Sequence, residues 1–221
     1  MKSKLSRTAC MVLAGCALAG ALSACAPIVL GGAAVGTMMA ADRRTTGSQV
    51  EDESIEMRAA SRIREQLGDR VHINVTSYNR QVLLTGEAAT AGDAQRAEQI
   101  VLGVENVRSV VNDVAVMPNT SLTQRSNDTF ITGKVRASFV DAKDLYASAF
   151  KVVTEREVVY LMGRVTQREA TRATDIARGV NGVRKVVRVF EIVSDDDLRR
   201  GAVQQQQPAP VTQDPAAQPR T

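Results

Sequence analysis

The sequence predicts an α+β fold made of two tandem copies of one small domain, each with two helices on one face of a three-stranded mixed sheet. The first observation behind this prediction is an internal repeat. INVTSYNRQVLLTG, from Ile73, resembles FKVVTEREVVYLMG, from Phe150, 77 positions later, and GVENVRSVVNDVAV, from Gly103, resembles GVNGVRKVVRVFEIV, from Gly179, 76 positions later. The second observation is that both copies show helix, strand, strand, helix and strand patterns in the same order.

The first copy, predicted for residues 54–117, begins with apolar residues at helical spacing. They are Ile55, Ala59, Ile63 and Leu67. The alternating stretch VHINV, a short polar turn and the stretch VLL predict a β-hairpin. Thr90 and Asp93 are typical of a helix start and Gly103 of a helix end. Valines at alternating positions then predict the last strand.

The second copy, predicted for residues 126–193 after a linker at 118–125, follows the same order. Its first helix lies in DTFITGKVRASF and has a core-facing stripe at four-residue spacing. The stripe consists of Ile131, Val135 and Phe139. Thr166 and Glu169 predict a capping box at the start of the second helix, and Gly179 predicts its end.

The N-terminus predicts export and lipid attachment. MKSKLSR is a positively charged start, and residues 8–41 are uncharged. LSAC at 22–25 has the small-residue form of a lipoprotein processing site, so we expect residues 1–24 to be a signal peptide and Cys25 to carry the lipid. LAGC, ending at Cys16, fits the same pattern but leaves an apolar region shorter than a signal needs. An uncleaved transmembrane helix is the remaining alternative, which the many Gly and Ala residues disfavour.

Processing at Cys25 would leave the mature chain without a free thiol, because the other cysteines lie upstream. Disulfides, cysteine metal sites and thiol catalysis would then be excluded. The next residue, Ala26, is not acidic, which favours the outer membrane. Residues 25–53 are Gly- and Ala-rich and then polar without a period, so we predict a tether. Residues 194–221 are rich in Gln and Pro, and we predict a disordered tail.

Charge and motif content exclude several function classes. The net charge is +4, but three basic residues lie in the predicted signal peptide, which leaves 25 basic against 24 acidic residues. Nucleic acid is therefore not an expected partner. The sequence shows no Ser/His/Asp arrangement, phosphate-binding glycine loop or paired acids in a defined setting, so we expect no enzyme, cofactor or small-molecule substrate. His72, the only histidine, lacks the partners of a metal site.

The repeated pattern G-V-x-x-V after a capped helix, with a preceding hairpin that ends in Gly86 or Gly163, resembles the BON domain of bacterial envelope proteins. Two such domains behind a lipoprotein processing site resemble the dual-BON outer-membrane lipoproteins, and the resemblance runs from Cys25 to Val193. It implies an anchor in the inner leaflet of the outer membrane, a role in the permeability barrier and recruitment to the division site. It also implies that the second BON domain binds anionic phospholipid through its first helix.

On this chain that helix is predicted for residues 128–140. The candidate lipid-binding residues are Phe130, Ile131, Lys134, Val135, Arg136 and Phe139. Phe130 stands where the family often has tryptophan, and it lies off the apolar stripe, beside Lys134. Aligning Val135 and Phe139 with residues 72 positions earlier puts Phe130 opposite Arg58, so the first copy is charged there.

Net charge also separates the copies. Residues 54–116 hold 7 basic and 8 acidic residues, whereas residues 126–193 hold 12 and 8. The second copy therefore suits an anionic, phosphatidylglycerol-like membrane surface, where each nearby Lys or Arg contributes about 1 kcal/mol. Two alternatives stay open. Phe130 could pack against the first copy or the linker, or the same surface could bind an envelope or cell-wall protein.

Overall fold

The structure is a computed structural model that describes residues 42–206, with side chains described through residue 201. The predicted signal peptide, Cys16, Cys25 and most of the predicted tether lie outside the described residues. Residues 207–221 of the predicted tail also lie outside them.

The described chain forms five α-helices, two short 3-10 helices (Gly68–Arg70 and Ala147–Ala149) and seven strands. The helices are α1 (Thr46–Leu67), α2 (Ala91–Leu102), α3 (Leu122–Asp141), α4 (Gln167–Arg178) and α5 (Asp195–Gln206). The strands are β1 (Val71–Tyr78), β2 (Gln81–Ala88), β3 (Ser109–Asn112), β4 (Ala115–Val116), β5 (Lys151–Glu155), β6 (Val158–Val165) and β7 (Lys185–Ile192). This order confirms the predicted α+β fold of two tandem copies. None of the described helices is long and apolar enough to cross a bilayer.

Each copy has a mixed sheet with the second hairpin strand at its centre. In the first copy, β2 pairs antiparallel with β1 and parallel with β3 and β4. In the second copy, β6 pairs antiparallel with β5 and parallel with β7. The helix between the second and third strands makes the crossover that a parallel pair requires. The last strand is continuous in the second copy and is divided in the first.

The two sheets pack face to face. Alternate residues of β2 show this, because Val82 and Leu84 pack with α1 and α2, whereas Leu83 belongs to an apolar cluster shared with the second copy. The shared cluster consists of Tyr78, Leu83, Val158, Tyr160, Met162 and Val189. The molecule is therefore a four-layer sandwich, with one pair of helices on each outer side and the two sheets between them.

Polar contacts surround this shared cluster. Asn79 donates to Glu191 at 2.6 Å, and the Tyr160 hydroxyl donates to Asp113 at 2.8 Å. The guanidinium of Arg156 reaches from the second hairpin to the carbonyl oxygen of Gly86 at 2.9 Å. These contacts join residues that are 47 to 112 positions apart, so they fix the copies against each other.

One carboxylate in the first helix of each copy binds the turn of that copy's hairpin. Asp52 accepts two backbone N–H bonds at 2.8 Å from residues 79–80, and Asp128 accepts two at 2.8 Å from residues 156–157. These four turn residues have φ angles between 50 and 64°, although none is glycine. Left-handed backbone is costly for such residues, and the carboxylate compensates by satisfying the N–H groups of the turn.

These two equivalent carboxylates correct the alignment of the first helices. They are 76 positions apart, not 72, so Phe130 lies opposite Ser54, and Lys134 lies opposite Arg58. The prediction that Phe130 replaces a charged residue of the first copy is therefore wrong. A shift of four residues nearly preserves the buried face of a helix, and for this reason the apolar stripe alone could not distinguish the two alignments.

Three helices extend beyond the predicted boundaries. α1 begins in the predicted tether, because the hydroxyl of Thr45 accepts from the N–H of Ser48 at 3.1 Å. α3 begins in the predicted linker, capped in the same way by Ser121. α5 occupies the first part of the segment predicted to be disordered, and Ser194 caps it. Capping hydroxyls and acids in a first turn stabilise a helix without an apolar stripe.

Candidate functional site

One face of α3 belongs to the core of the second copy. Ile131, Val135 and Phe139 are fully buried against α4 and the sheet. The prediction that these three side chains contact lipid is therefore wrong, since their apolar atoms are already covered. Their four-residue spacing places all three side chains on the buried face of α3, and the opposite face of the helix stays exposed.

The outward face of α3 is apolar at three places along its length. Leu122 is 79% exposed, Phe130 is 65% exposed and Val140 is 71% exposed. Between residues 122 and 140 the only carboxylate is Asp128, which is buried under the hairpin turn. Phe130 belongs to none of the buried apolar clusters of the described residues. The face therefore presents exposed apolar side chains, and its one exposed carboxylate is that of Asp141, the last residue of α3.

Lys134 flanks Phe130 on one side of this face. Its Nζ lies 4.9 Å from the centre of the Phe130 ring, which is a cation–π distance. The same Nζ donates to the carbonyl oxygen of Asn181 in the loop between α4 and β7. The lysine is therefore held by the loop, and it keeps a positive charge beside the exposed ring.

Arg136 lies on the opposite flank of the same face. It is exposed, and its Nη2 donates to the carbonyl oxygen of Val152 at 3.3 Å. It lines a groove together with Arg44, Val140 and Lys151. Phe130 therefore lies between two cations, Lys134 on one side of α3 and Arg136 on the other.

Residues 42–44 form a strap that the sequence did not predict. The Arg43 guanidinium makes two bonds to the Glu169 carboxylate, at 2.6 and 2.8 Å, and one to the carbonyl oxygen of Arg164 at 3.0 Å. It also lies 5.7 Å from the centre of the Tyr146 ring. A residue upstream of the first copy is thus bound to the second copy, 126 positions away.

The Glu169 carboxylate is the ion-pair partner of Arg43. It completes the capping box of α4 with Thr166, as the sequence predicted, and it is almost fully buried. Burial alone would raise the pKa of Glu169. The bonds from Arg43 and Thr166 outweigh burial and lower that pKa from 4.5 to about 2. The carboxylate is therefore ionised at neutral pH and pairs with a fixed guanidinium.

Arg44 binds the strap to the first copy. Its Nη1 bonds to Asp52 at 2.9 Å, and its guanidinium lies 4.4 Å from the centre of the Tyr78 ring. Because Arg44 shares a groove with Arg136 and Val140, the strap lies beside the C-terminal end of α3. The chain that arrives from the N-terminus therefore joins the sandwich next to the outward face of α3.

Comparison with known proteins identifies both copies. The family model of the BON domain matches residues 52–118 and 127–194. The chain belongs to the BON-domain family. It is 38% identical over 173 residues to "Outer membrane lipoprotein DolP" of Haemophilus influenzae, a match that covers 77% of this chain and 89% of the relative. It is 34% identical over 154 residues to "21 kDa hemolysin" of Actinobacillus pleuropneumoniae, covering 69% and 79%. A shorter match, 33% over 118 residues, is to "Osmotically-inducible protein Y" of Escherichia coli, covering 52% and 58%.

The outward faces of the first helices differ between the two BON domains. In the first domain, Met57 is 69% exposed on α1, with Glu53 exposed nearby, whereas the position of α3 that corresponds to Met57 is Gly133. In the second domain, the position that corresponds to Ser54 is Phe130. An exposed aromatic ring without a neighbouring exposed acid is therefore a feature of α3 and not of α1. Met57 is a matched exposed apolar residue for control experiments.

A buried polar cluster also lies between the BON domains. Glu87 is fully buried in β2, with His72 Nδ1 and Arg156 Nη1 each 3.3 Å from its carboxylate. Glu155 is buried nearby and accepts from Asn74 at 3.0 Å. Burial, with a contribution from Glu87, raises the pKa of Glu155. In the described part of the chain, no three His, Cys, Asp or Glu side chains are placed to hold a metal ion.

Sequence reasoning missed Arg43 as a binding residue because nothing in DRRTTGSQ distinguishes it from a solvated charge. Its partner was visible as a capping residue, since Thr166 and Glu169 have capping-box spacing. A second role for that carboxylate depends on the tertiary structure, which brings residues 43 and 169 together.

Proposed function

We propose that this protein is a non-enzymatic outer-membrane lipoprotein whose second BON domain binds anionic phospholipid through the outward face of α3 and so supports outer-membrane integrity. The observation that carries the proposal is the exposed Phe130 between Lys134 and Arg136, on a helix face whose one exposed carboxylate, Asp141, lies at its C-terminal end. The relative named as an outer membrane lipoprotein supports the location, and the lipid would be attached at Cys25.

The position of the strap supports the same proposal. The strap reaches the sandwich beside Arg136 and Val140, at one end of α3. The chain that leads back to Cys25 thus starts on the side of the molecule that carries the proposed lipid contact. A lipid anchor and a weak surface contact on one side act together, because the anchor makes the second contact intramolecular.

The expected strength of the α3 contact is modest. Burying Phe130 in the membrane interface contributes roughly 1.5 to 3 kcal/mol. Lys134 and Arg136 add about 1 kcal/mol each near an anionic surface. A total of about 4 kcal/mol corresponds to a dissociation constant of roughly 1 mM. The unlipidated protein should therefore bind vesicles reversibly, and only at high lipid concentration.

Vesicle flotation of the unlipidated mature chain tests the proposal. We expect binding to phosphatidylglycerol vesicles at low salt and little binding to phosphatidylcholine vesicles. Phe130→Glu should abolish binding, because it removes the apolar contact and adds a charge that the surface repels. Met57→Glu changes an equally exposed residue of α1 and should bind like the wild type. Equal binding to both lipids, or full binding by Phe130→Glu, would refute the lipid role.

The same surface also fits a second function, that of a periplasmic adaptor for an envelope or cell-wall protein. An exposed aromatic side chain flanked by cations is typical of residues that dominate protein interfaces. For an adaptor, Phe130→Glu should abolish co-purification of a partner and leave flotation unchanged. Enrichment at the division site, which the family resemblance implies, belongs to the main proposal, and imaging fluorescent fusions of the wild type and of Phe130→Glu tests it.

A further inference from the structure

The outer edge of β7 is long and regular. All eight residues of β7, Lys185–Ile192, pair in register with β6, from Val158 to Val165. On its other side β7 has no strand partner among the residues that the structure describes. An eight-residue edge without a bulge is a template for the addition of another strand, and native proteins usually interrupt or cover such edges.

The equivalent edge of the first BON domain is interrupted. Its last strand is divided into β3 and β4, which are separated by Asp113 and Val114. The side chain of Asn112 accepts from the N–H of Val114 at 3.2 Å, and the Tyr160 hydroxyl donates to Asp113. The break therefore contains Asp113, which contacts the second domain. Of the two equivalent edges, only that of the second domain keeps a continuous strand.

A groove runs beside the open edge, between β7 and α4. It has a volume of about 300 Å³ and is lined by Gln167, Ala170, Arg188, Phe190 and Ile192. Ile192 is 50% exposed, and Phe190 is only partly covered by the core. Alternate side chains of an added strand would point into this groove, and the groove offers them apolar contacts.

Positive charge lies along the same edge. Arg184, Lys185 and Arg188 are exposed, and neither Lys185 nor Arg188 has an acidic partner among the described residues. The acid of β7, Glu191, is already paired with Arg108 and Arg164. Positive charges repel the β7 edge of a second copy, and they attract a strand that carries carboxylates.

We propose that the β7 edge and the adjacent groove of the second BON domain bind an extended segment of a partner protein, with alternating acidic and apolar residues, by strand addition. The backbone of the segment pairs with β7, and its apolar side chains enter the α4–β7 groove beside Arg188, Phe190 and Ile192. Because side chains alternate along a strand, its carboxylates lie on the opposite face, where they pair with Lys185. This site is separate from the outward face of α3 and does not depend on lipid binding.

Titration with a synthetic peptide tests the proposal in the absence of lipid. The probe is an acetylated and amidated peptide of four Glu-Val repeats, added to the full mature chain without its lipid while amide signals are followed by NMR. We expect saturable shifts in β7 and in the facing side of α4, and none in β3 or β4. The same peptide with alternate backbone nitrogens methylated should bind at least about tenfold more weakly, because it cannot donate the pairing hydrogen bonds.

Charge variants make the test specific. Lys185→Glu should weaken peptide binding about tenfold, and Arg188→Glu, which lies on the groove face, should weaken it less. Arg64→Glu, on the exposed side of α1, changes the net charge equally and should bind like the wild type. Phe130→Glu should also bind the peptide normally, so failure of the lipid proposal and failure of this one can be told apart. The circular dichroism spectrum of each variant verifies its fold.

Several outcomes would overturn the proposal. One is that the methylated peptide, or a Lys-Val peptide, binds as well as the Glu-Val peptide, because either result indicates adsorption and not strand addition. Another is shifts scattered over both domains. A third is a dimer in solution whose interface protects the β7 amides from hydrogen exchange, because the edge would then be occupied by a second copy.

Discussion

Replacing Arg43 by alanine removes the guanidinium that joins the strap to the second BON domain. The variant loses bonds of 2.6 and 2.8 Å to Glu169 and one of 3.0 Å to the Arg164 carbonyl oxygen. The Glu169 carboxylate stays almost fully buried and keeps only the bonds from Thr166. Removing one partner of such a pair is costly, because the other charge is left without compensation.

The pKa of Glu169 gives the size of the effect. Its fall from 4.5 to about 2 corresponds to about 3 kcal/mol, shared between Arg43 and Thr166. We therefore expect Arg43→Ala to lower the free energy of unfolding by about 2 kcal/mol at pH 7. Urea unfolding of the unlipidated chain, followed by circular dichroism, measures this loss.

The pH dependence has a defined sign. The pKa of Glu169 is lower in the folded state than in the unfolded chain, so the pair stabilises fully above about pH 5, and its contribution is lost as the pH falls toward 2. The difference between wild type and Arg43→Ala should therefore shrink from pH 7 to pH 3. Arg199→Ala is the control, because its ion pair with Asp196 is exposed on α5 and should contribute less than about 0.5 kcal/mol.

Two results would refute this reasoning. One is an Arg43→Ala variant as stable as the wild type at pH 7. The other is a double-mutant cycle with Glu169→Gln in which the coupling energy is below about 0.5 kcal/mol, since residues in direct contact should be coupled.

Three further substitutions test other parts of the structure. Gly86→Ala would place a Cβ 2.1 Å from the carbonyl oxygen of His72, at a backbone φ of +108°. Thermal unfolding should therefore show a loss of several kcal/mol in the free energy of unfolding. In the control Gly103→Ala, the new Cβ meets nothing closer than 3.5 Å, so the substitution should be tolerated. Asp128→Ala frees two backbone N–H groups of the hairpin turn and should cost about 2 to 4 kcal/mol in urea unfolding. Glu155→Gln removes a buried carboxyl group whose pKa is raised in the folded state, so it should raise the free energy of unfolding at pH 7 and not at pH 4.

The order of helices and strands could be predicted from local sequence patterns. Thr166 and Glu169 have the spacing of a capping box, and the structure contains that box. The stretches VLL and VVYLM carry a further signal. Both are apolar at consecutive positions, which is typical of strands covered on both faces, and the second face is covered by the other domain's sheet.

The candidate site was predictable only in part. The exposure of Phe130 follows from its place off the apolar stripe, and the structure keeps it exposed. Lys134 and Arg136 were identified as neighbours in sequence, but their places on opposite flanks of the helix depend on which face is buried. The strap could not be predicted, because the Arg43 contact joins residues far apart in sequence and has no periodic pattern.

The layer order explains how one small protein can offer two separate surfaces. Packing the sheets face to face covers both sheet faces, so the helices lie on opposite outer sides and the sheet edges open at the sides of the sandwich. A membrane beneath α3 would then cover one outer layer and leave the β7 edge accessible from the side. The tether, held by Arg43 and Arg44 beside α3, would keep the molecule in that orientation. Binding of lipid and addition of a strand would therefore not exclude each other, and Phe130→Glu and Lys185→Glu should impair them independently.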